Sequence, residues 1–365
     1  MELTAGSDFR QVRWRREVFH RFYAFHCRYR AHPGAVYYVL PWLAERQGWD
    51  AEAALWFAFL NGNTQHPVTS WQLWHASGGR PDGAERMVEF WRAHYARLAF
   101  DTDRRYWKKA LPQAVAGYLA LVGRGTQADY WDRAAAHGFA GIWAAAVAIP
   151  TFGRLSAFSF TEYLRLSGVP FDCDTLMLED RDGSRSHRNG LCKVLGRDDL
   201  DWHASNPGFD GRYPPEVVEL LTWEAANLLA DARVRAQGEP YARDVGYFTL
   251  ESALCTYKSW HRPNRRYPNV YNDMFHDRLV AAERAWPGED LDVFWASRQA
   301  HLPAHLRLED CPGDPGCVPV KQNHYLRTGQ PVMMHRDDPA FVNDFNHAVD
   351  TGALGRFREP RRVAA

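Results

Sequence analysis

One stretch near the middle of the chain joins two predicted helices through a short turn. It reads Ile149-Pro150-Thr151-Phe152-Gly153-Arg154-Leu155-Ser156-Ala157. Apolar residues at helical spacing precede and follow this turn, over 139–148 and 156–167. A turn closed by glycine points backbone N–H groups at one spot, and the next helix adds the positive end of its dipole. The stretch therefore indicates a phosphate-binding turn, or an ordinary connector between two helices.

Helical spacing dominates the rest of the chain as well. Apolar residues recur every three or four positions between 40 and 59 and again between 217 and 229. Further helices are expected near 83–99, 104–122, 127–137, 249–260, 270–285 and 338–350. Strand-like alternation is scarce, although Asp182-Gly183 favours a hairpin turn within 172–186. The sequence predicts a mostly α fold with a small irregular or β-hairpin insertion between 170 and 215.

The charges of the chain cancel. Its 365 residues include 44 basic and 44 acidic side chains, so a nucleic-acid partner has to be held by local basic patches. Three arginine clusters offer such patches, within residues 10–30, 261–266 and 356–362. No apolar run reaches the roughly 18 residues of a membrane span. We therefore expect no membrane contact and a cytoplasmic location.

Several common site types are excluded by spacing. The six cysteines contain no Cys-x-x-Cys pair, which argues against a zinc ribbon and against the usual iron–sulfur spacing. His301 and His305 are separated by Pro303 and lack the glutamate of a zincin motif. Neither a P-loop nor a Rossmann glycine fingerprint occurs. No G-x-S-x-G elbow occurs either, so nicotinamide chemistry and serine hydrolysis are not expected.

The turn is followed by a second landmark. After the predicted helix come Gly168-Val169-Pro170 and Asp172-Cys173-Asp174-Thr175. This order of features resembles the helix-hairpin-helix of base-excision DNA glycosylases: a turn, a helix, a glycine–proline turn and then Asp-Thr. The resemblance implies a helical glycosylase-like fold with the hairpin near 140–167. It makes Asp174 the counterpart of the glycosylase carboxylate, and it implies contacts with the DNA backbone from Thr151, Gly153, Arg154 and Ser156.

Two positions depart from the glycosylase pattern. Thr151 replaces the first hairpin glycine, and Leu155 stands where lyase-type glycosylases carry a Schiff-base lysine. Lyase chemistry is therefore not expected.

Three more segments narrow the resemblance. They are the basic run 186–199, the amide-rich Asn61-Gly62-Asn63-Thr64-Gln65-His66-Pro67, and the segment 251–258. With the turn, they resemble the phage amino acid:DNA transferases and the related α-glutamyl/putrescinyl-thymine pyrophosphorylases, over residues 35–285. This divides the chain into an Arg-rich segment 1–34, a catalytic domain 35–290 and a C-terminal extension 291–365. The resemblance also implies a phage origin and the host-cell cytoplasm as its location.

The chemistry that the resemblance implies starts from 5-hydroxymethyluracil in DNA. A separate kinase has converted it to a pyrophosphate ester, and an amine from an amino acid or polyamine displaces the pyrophosphate. Such a reaction needs a base taken out of the stack, a cationic cradle for pyrophosphate and a group that accepts the proton of the amine.

The sequence offers candidates for each requirement. The candidates for the cationic cradle are His187, Arg188, Lys193 and Lys258. The candidate for the proton acceptor is Asp174. For the extruded base and the incoming ammonium the candidates are Asn61, Asn63, Gln65, Asn189 and Asp273. No tightly bound cofactor is expected, although Asp198 and Asp199 are candidates to carry Mg²⁺ with the pyrophosphate.

Each candidate also has a structural alternative. Asn61, Asn63 and Gln65 are residue types typical of helix caps and turns. The composition of the segment 186–199 is also typical of a solvated loop. The aromatic residues Trp56, Phe57 and Phe59 either wall the pocket or belong to the core. Two other functions stay open, a monofunctional glycosylase that uses Asp174 and a non-catalytic DNA-binding module. The transferase hypothesis requires that the turn at Gly153 docks DNA so that Asp174 and Arg188 face one cavity.

Overall fold

A computed structural model describes residues 12–30, 37–178, 185–201, 213–258 and 270–301. Helices account for most of these residues, and none of them forms a strand. This confirms the predicted mostly α fold. The described part of the expected hairpin, 172–178, is irregular, and 179–184 lie outside the described residues, as do the expected helix 338–350 and the last arginine clusters.

The helices are numbered in chain order. They are α1 Val12–Tyr29, α2 Val39–Gln47, α3 Ala51–Thr64, α4 Pro67–Ala76, α5 Ala84–Ala93, α6 Arg104–Trp107, α7 Leu111–Val122, α8 Gln127–Ala135, α9 Gly138–Val147, α10 Arg154–Leu166, α11 Arg185–Leu195, α12 Pro215–Arg235, α13 Tyr247–Tyr257, α14 Val270–Ala285 and α15 Asp292–Ala300. Most lie where helical spacing predicts them. The helix expected over 83–99 is shorter, because α5 ends at Ala93 and a turn follows.

The contacts divide the chain into two units. Unit 1 comprises 1–34, 175–276 and 299–365, and unit 2 comprises 35–174 and 277–298. The division of the chain into 1–34, 35–290 and 291–365 stays a prediction.

Unit 2 is organised around helix α3. Asp50 caps its first turn by accepting a hydrogen bond from Ala53 N at 2.9 Å, and nearly every residue that follows is buried. Phe59 stacks on Tyr118 at a centroid distance of 4.0 Å, and Trp56 donates its indole N–H to Ser77 Oγ at 2.8 Å. Since the side chains of Trp56, Phe57 and Phe59 have no exposed surface, they belong to the core. The alternative that they wall a pocket is wrong for the described structure.

Unit 1 packs α1, α11, α12 and α13 around a second apolar core. Helices α11 and α13 approach each other closely at Gly190, where a Cβ atom would collide with the Leu254 carbonyl oxygen. Only a residue without a side chain allows this spacing. The contact brings His187 of α11 close to Glu251 in the middle of α13.

Helix α11 corrects the expectation of an irregular segment between 170 and 215. The run 186–199 does not form a solvated loop, because 185–195 are helical and His187, Arg188, Asn189, Leu191 and Cys192 are buried. Polar side chains occupy part of its buried face, so the usual apolar spacing is absent there. The backbone amides of this run serve the helix instead of forming the expected anion-binding loop.

Candidate active site

The turn between α9 and α10 lies where the sequence predicts it. Gly153 is exposed with φ −93°, and a Cβ atom built there meets no other atom within 4 Å. The packing of the chain itself therefore does not require glycine at this position. The left-handed backbone conformation lies two residues earlier, at Thr151 with φ 75°, which is unusual for a β-branched residue.

A buried arginine holds Thr151 in that conformation. Arg104 is 1% exposed; its Nη1 donates to Thr151 O at 2.7 Å and its Nη2 to Thr151 Oγ1 at 2.9 Å. Its Nε donates to Asn63 O at 3.1 Å and its Nη1 to Ser156 Oγ at 3.2 Å. Burial lowers the pKa of Arg104 to about 10, so the group remains charged at neutral pH. Arg104 thus connects three of the predicted site residues, Asn63, Thr151 and Ser156, although the sequence did not predict Arg104 itself.

The neighbouring Asp103 completes this cluster. Ser156 Oγ donates to Asp103 Oδ2 at 2.7 Å. Arg104 therefore has a carboxylate nearby, and the first turn of α10 is tied to α6. No sequence spacing relates these residues, because Arg104 and Thr151 lie 47 positions apart.

The three amide residues lie at the C-terminal end of α3 and are buried. Gln65 is the C-cap of α3 with φ 52°, which agrees with the alternative that it serves as a helix cap. Its Oε1 accepts a hydrogen bond from Tyr163 OH at 3.2 Å. Asn63 Oδ1 accepts from Arg104 at 3.3 Å, and Asn61 Oδ1 accepts from Ser70 at 3.0 Å. Among the described residues, Asn61 Nδ2 and Gln65 Nε2 have no hydrogen-bond acceptor. Two amide donors thus remain for a ligand, and a role in base binding stays a prediction.

Unit 1 contains a second buried polar cluster, between α11 and α13. His187 Nδ1 lies 3.0 Å from Glu251 Oε1, and His187 Nε2 lies 2.8 Å from Leu176 O. Cys255 Sγ donates to Glu251 Oε1 at 3.6 Å. His187 has no exposed surface, and Glu251 is 6% exposed. The spacing of Glu251 and Cys255 predicts their common helix face, but nothing in the sequence predicts that His187 meets it.

Arg188 and Asn189 follow His187 and are also buried. The Arg188 guanidinium donates to Leu178 O at 3.4 Å and lies over the Tyr213 ring at 4.3 Å from its centroid. The aromatic face interacts favourably with the guanidinium cation. A role of Arg188 in holding an anion stays a prediction.

Lys193 lies in an ion-pair network. Its Nζ is 2.9 Å from Asp198 Oδ1 and 3.1 Å from Asp201 Oδ2. Arg15 contacts the same Asp198 carboxylate at 2.8 Å. Burial raises the pKa of Asp198, but the hydrogen bonds from Arg15 and Lys193 outweigh it, and the net pKa is lowered. Lys193 is thus largely neutralised by carboxylates, which weakens it as a pyrophosphate ligand.

Asp199 is engaged in the same way. Its carboxylate accepts from Arg197 at 2.7 Å, and this bond lowers the pKa of Asp199. A Mg²⁺ ion at Asp198 and Asp199 would have to displace arginine and lysine side chains. The metal site at these two residues stays a prediction, and the described contacts do not favour it.

Three candidates remain. Asp174 is exposed, on the irregular segment after α10 in unit 2, and Arg188 belongs to unit 1. Lys258 is the C-cap of α13 and is half-buried. Asp273 falls within α14, but its side chain lies outside the described residues. That Asp174 and Arg188 face one cavity stays a prediction.

Comparison with known proteins decides the family. The model of the amino acid:DNA transferases matches residues 32–266. The chain belongs to this family. It is a transferase that acts on DNA, and its substrates are DNA and an amino acid. The family resemblance predicted from the sequence is thereby confirmed.

A curated relative agrees with the family match. A protein of Salmonella phage ViI, named serinyltransferase, is 27% identical over 296 residues, which cover 77% of this chain and 72% of the relative. No solved structure matches the chain. Among the described helices of this transferase, none is both long and apolar enough to span a bilayer.

Proposed function

We propose that this amino acid:DNA transferase displaces pyrophosphate from 5-(pyrophosphoryloxymethyl)uracil in DNA with the amine of an amino acid. The amine nitrogen forms a bond to the exocyclic methylene carbon as the carbon–oxygen bond to pyrophosphate breaks. The ammonium product loses one proton to a base. Serine is the first amine to test, because the relative in phage ViI is named for it. The observation that carries the proposal is the family match over residues 32–266.

The turn between α9 and α10 supports a contact with the DNA backbone. Its Gly153 is exposed without any steric need for glycine, which leaves room for a phosphate to approach the backbone. The start of α10 adds the positive end of a helix dipole, and Arg154 occupies its first position. In this proposal the turn acts as the glycosylase-like hairpin that positions the strand. In this proposal Gln65, whose Nε2 has no acceptor among the described residues, donates to the extruded uracil, whereas Asn61 has no exposed surface and would need the site to open.

The contacts in unit 1 narrow the choice of pyrophosphate ligands. His187 faces the Glu251 carboxylate and Lys193 faces Asp198 and Asp201, so both meet negative charge already. Arg188 contacts a carbonyl and an aromatic ring. We propose that Arg188 binds the leaving group because a guanidinium offers forked donors to phosphate oxygens. Lys258 is the second proposed cation, and the exposed carboxylate of Asp174 is the proposed proton acceptor.

The reaction itself provides the test. Purified protein is incubated with DNA containing 5-hydroxymethyluracil, the partner kinase, ATP and serine, and the DNA is digested to nucleosides for mass spectrometry. The proposal predicts a nucleoside whose mass is that of 5-hydroxymethyldeoxyuridine plus serine minus water. Omission of the kinase must abolish it. Abasic sites would indicate a glycosylase, and unchanged nucleosides a DNA-binding module.

Two variants test the assigned residues. Arg188→Ala and Asp174→Asn should each lower turnover by about tenfold or more, equivalent to at least about 1.4 kcal/mol of transition-state stabilisation. Arg197→Ala is the matched control, because Arg197 is exposed and pairs with Asp199. Asp174 is exposed, so its replacement leaves the core intact. Wild-type turnover in Asp174→Asn and Arg188→Ala would remove both assignments.

A further inference from the structure

We propose that His187, Glu251 and Cys255 form a binding site for one transition-metal ion, for which Zn²⁺ is the best match. The three side chains each offer one ligand atom, and these atoms lie within 4.8 Å of one another. They come from two helices, α11 and α13. The proposal concerns unit 1 alone and does not depend on the transfer reaction.

The distances between the ligand atoms fit a tetrahedral shell. Zinc lies about 2.0–2.1 Å from nitrogen and oxygen and about 2.3 Å from sulfur, so the edges of its tetrahedron are about 3.3 Å and about 3.5 Å. His187 Nδ1 and Glu251 Oε1 are 3.0 Å apart, and Cys255 Sγ and Glu251 Oε1 are 3.6 Å apart. Two edges therefore lie within about 0.3 Å of those around zinc. The third edge, between His187 Nδ1 and Cys255 Sγ, is at most 4.8 Å, and the fourth vertex is left for a further ligand.

The contact of His187 with Leu176 fixes which ring nitrogen is available. A carbonyl oxygen only accepts, so the 2.8 Å contact with Leu176 O requires a proton on His187 Nε2. In the neutral imidazole the lone pair is then on Nδ1, which faces Glu251. Metal-binding histidines commonly donate their second nitrogen to a carbonyl in this way. The tautomer required for binding is thus set by the fold.

The position of the ligands is rigid. Gly190 and Leu254 hold α11 and α13 at a spacing that admits no side chain, and each lies three residues after a ligand. His187 is fully buried and Glu251 nearly so. Little rearrangement is needed for binding, and water is largely excluded from the site.

The donor set selects the class of metal. Imidazole nitrogen and thiolate sulfur favour zinc and its neighbours, whereas Mg²⁺ prefers a shell of oxygens. The 3.0 Å contact between the Glu251 carboxylate and His187 Nδ1 holds either a proton or a metal ion that both atoms bind. A zinc ion would use the Cys255 sulfur as well, whereas a shared proton would not.

Metal content and a cobalt spectrum test the proposal. The full chain is purified without chelator, its zinc is measured by mass spectrometry, and the ion is exchanged for Co²⁺. We expect about one zinc per chain and a thiolate-to-cobalt charge-transfer band. Cys255→Ala should remove the band and weaken zinc binding by about tenfold or more. Cys192→Ala, a buried cysteine of α11 outside the three ligands, should keep both.

Three results would overturn the site. The first is wild-type protein that holds no zinc after addition of one equivalent and dialysis, which would show that a proton joins His187 and Glu251. The second is a cobalt band that survives in Cys255→Ala. The third is equal zinc retention in Glu251→Gln and wild type. Each readout is independent of transferase activity, so a failure here leaves the proposed function untouched.

Discussion

Arg104 and Thr151 show how one side chain defines the turn before α10. A β-branched residue in the left-handed region costs about 1–2 kcal/mol. Two hydrogen bonds from a charged guanidinium to the Thr151 carbonyl and hydroxyl offset this cost. The same guanidinium reaches Asn63 and Ser156. The conformation of the turn and the end of α3 therefore depend on one buried residue.

Replacing Arg104 should destabilise the protein. In Arg104→Lys a single ammonium cannot reach the acceptors that the planar guanidinium bonds, so buried carbonyls lose their donor. We expect the free energy of unfolding in urea to fall by about 2–4 kcal/mol. Arg105→Lys, at the exposed neighbouring position, should change it by less than about 0.5 kcal/mol. Equal stability of the two variants would contradict the role of Arg104.

Arg154 offers a separate test of DNA contact by the turn. If its guanidinium binds one phosphate, Arg154→Ala should weaken binding to all DNA sequences and reduce the slope of log K against log salt by about 1. Fluorescence anisotropy at several salt concentrations measures the slope. Arg133→Ala, on the exposed surface of α8 in the same unit, is the control. An unchanged slope in Arg154→Ala would remove this residue from the DNA-binding surface.

At the scale of the element, the pairing of α11 with α13 positions the buried polar cluster of unit 1. Gly190 gives the two helices their close approach. His187 precedes it by about one turn, as Glu251 precedes Leu254. The helix spacing therefore determines the 3.0 Å contact between His187 and Glu251.

A methyl group at position 190 should disrupt this pairing. Gly190→Ala places a Cβ against the Leu254 carbonyl, and the helices have to separate. We expect a loss of about 1–3 kcal/mol in unfolding free energy, measured by urea denaturation. Gly125→Ala, where the nearest atom to the added Cβ is 3.9 Å away, is the matched control. Wild-type stability in Gly190→Ala would contradict the close contact.

Some of these helices and site residues can be predicted from the sequence, and others cannot. Helices α3, α7, α9 and α10 were predictable because apolar residues recur in them at helical spacing. Helix α11 was not, because His187, Arg188 and Asn189 occupy buried positions where that spacing expects apolar residues. Asn61, Asn63, Gln65, Thr151 and Ser156 were found as polar residues near turns. Arg104, which bonds three of them, could not be found, because its contacts join segments that are distant in sequence.

In the whole molecule, each unit contains a buried histidine whose pKa is lowered, His20 in unit 1 and His66 in unit 2. Burial, with the nearby charges of Arg235 and Arg16, lowers the pKa of His20 in unit 1 to about 4. Burial, with the charge of Arg278, lowers the pKa of His66 in unit 2 to about 4. As the pH falls, the two histidines of the unfolded chain become protonated near pH 6.5, whereas those of the folded chain become protonated only near pH 4. The contribution of these two histidines to the free energy of unfolding is therefore fully present above about pH 6.5 and decreases as the pH falls towards 4.

The size of this effect can be measured at His66. Its Nδ1 accepts from Thr69 N at 3.2 Å as the cap of α4, and an asparagine side chain provides the same acceptor without titrating. Between pH 6.5 and pH 4, His66→Asn should lose about 3 kcal/mol less unfolding free energy than wild type, since one pKa unit corresponds to about 1.4 kcal/mol. Urea denaturation at successive pH values gives both curves. Parallel curves would show that His66 does not titrate in this window.

In the proposed reaction a nitrogen replaces pyrophosphate at the thymine methyl carbon. The most direct test of this reaction supplies DNA carrying the pyrophosphate ester and ¹⁵N-serine, then measures released pyrophosphate and the labelled nucleoside together. We expect one pyrophosphate per modified nucleoside, with ¹⁵N retained on the methylene carbon after fragmentation. Free base with abasic DNA, or pyrophosphate released without ¹⁵N in the nucleoside, would contradict it.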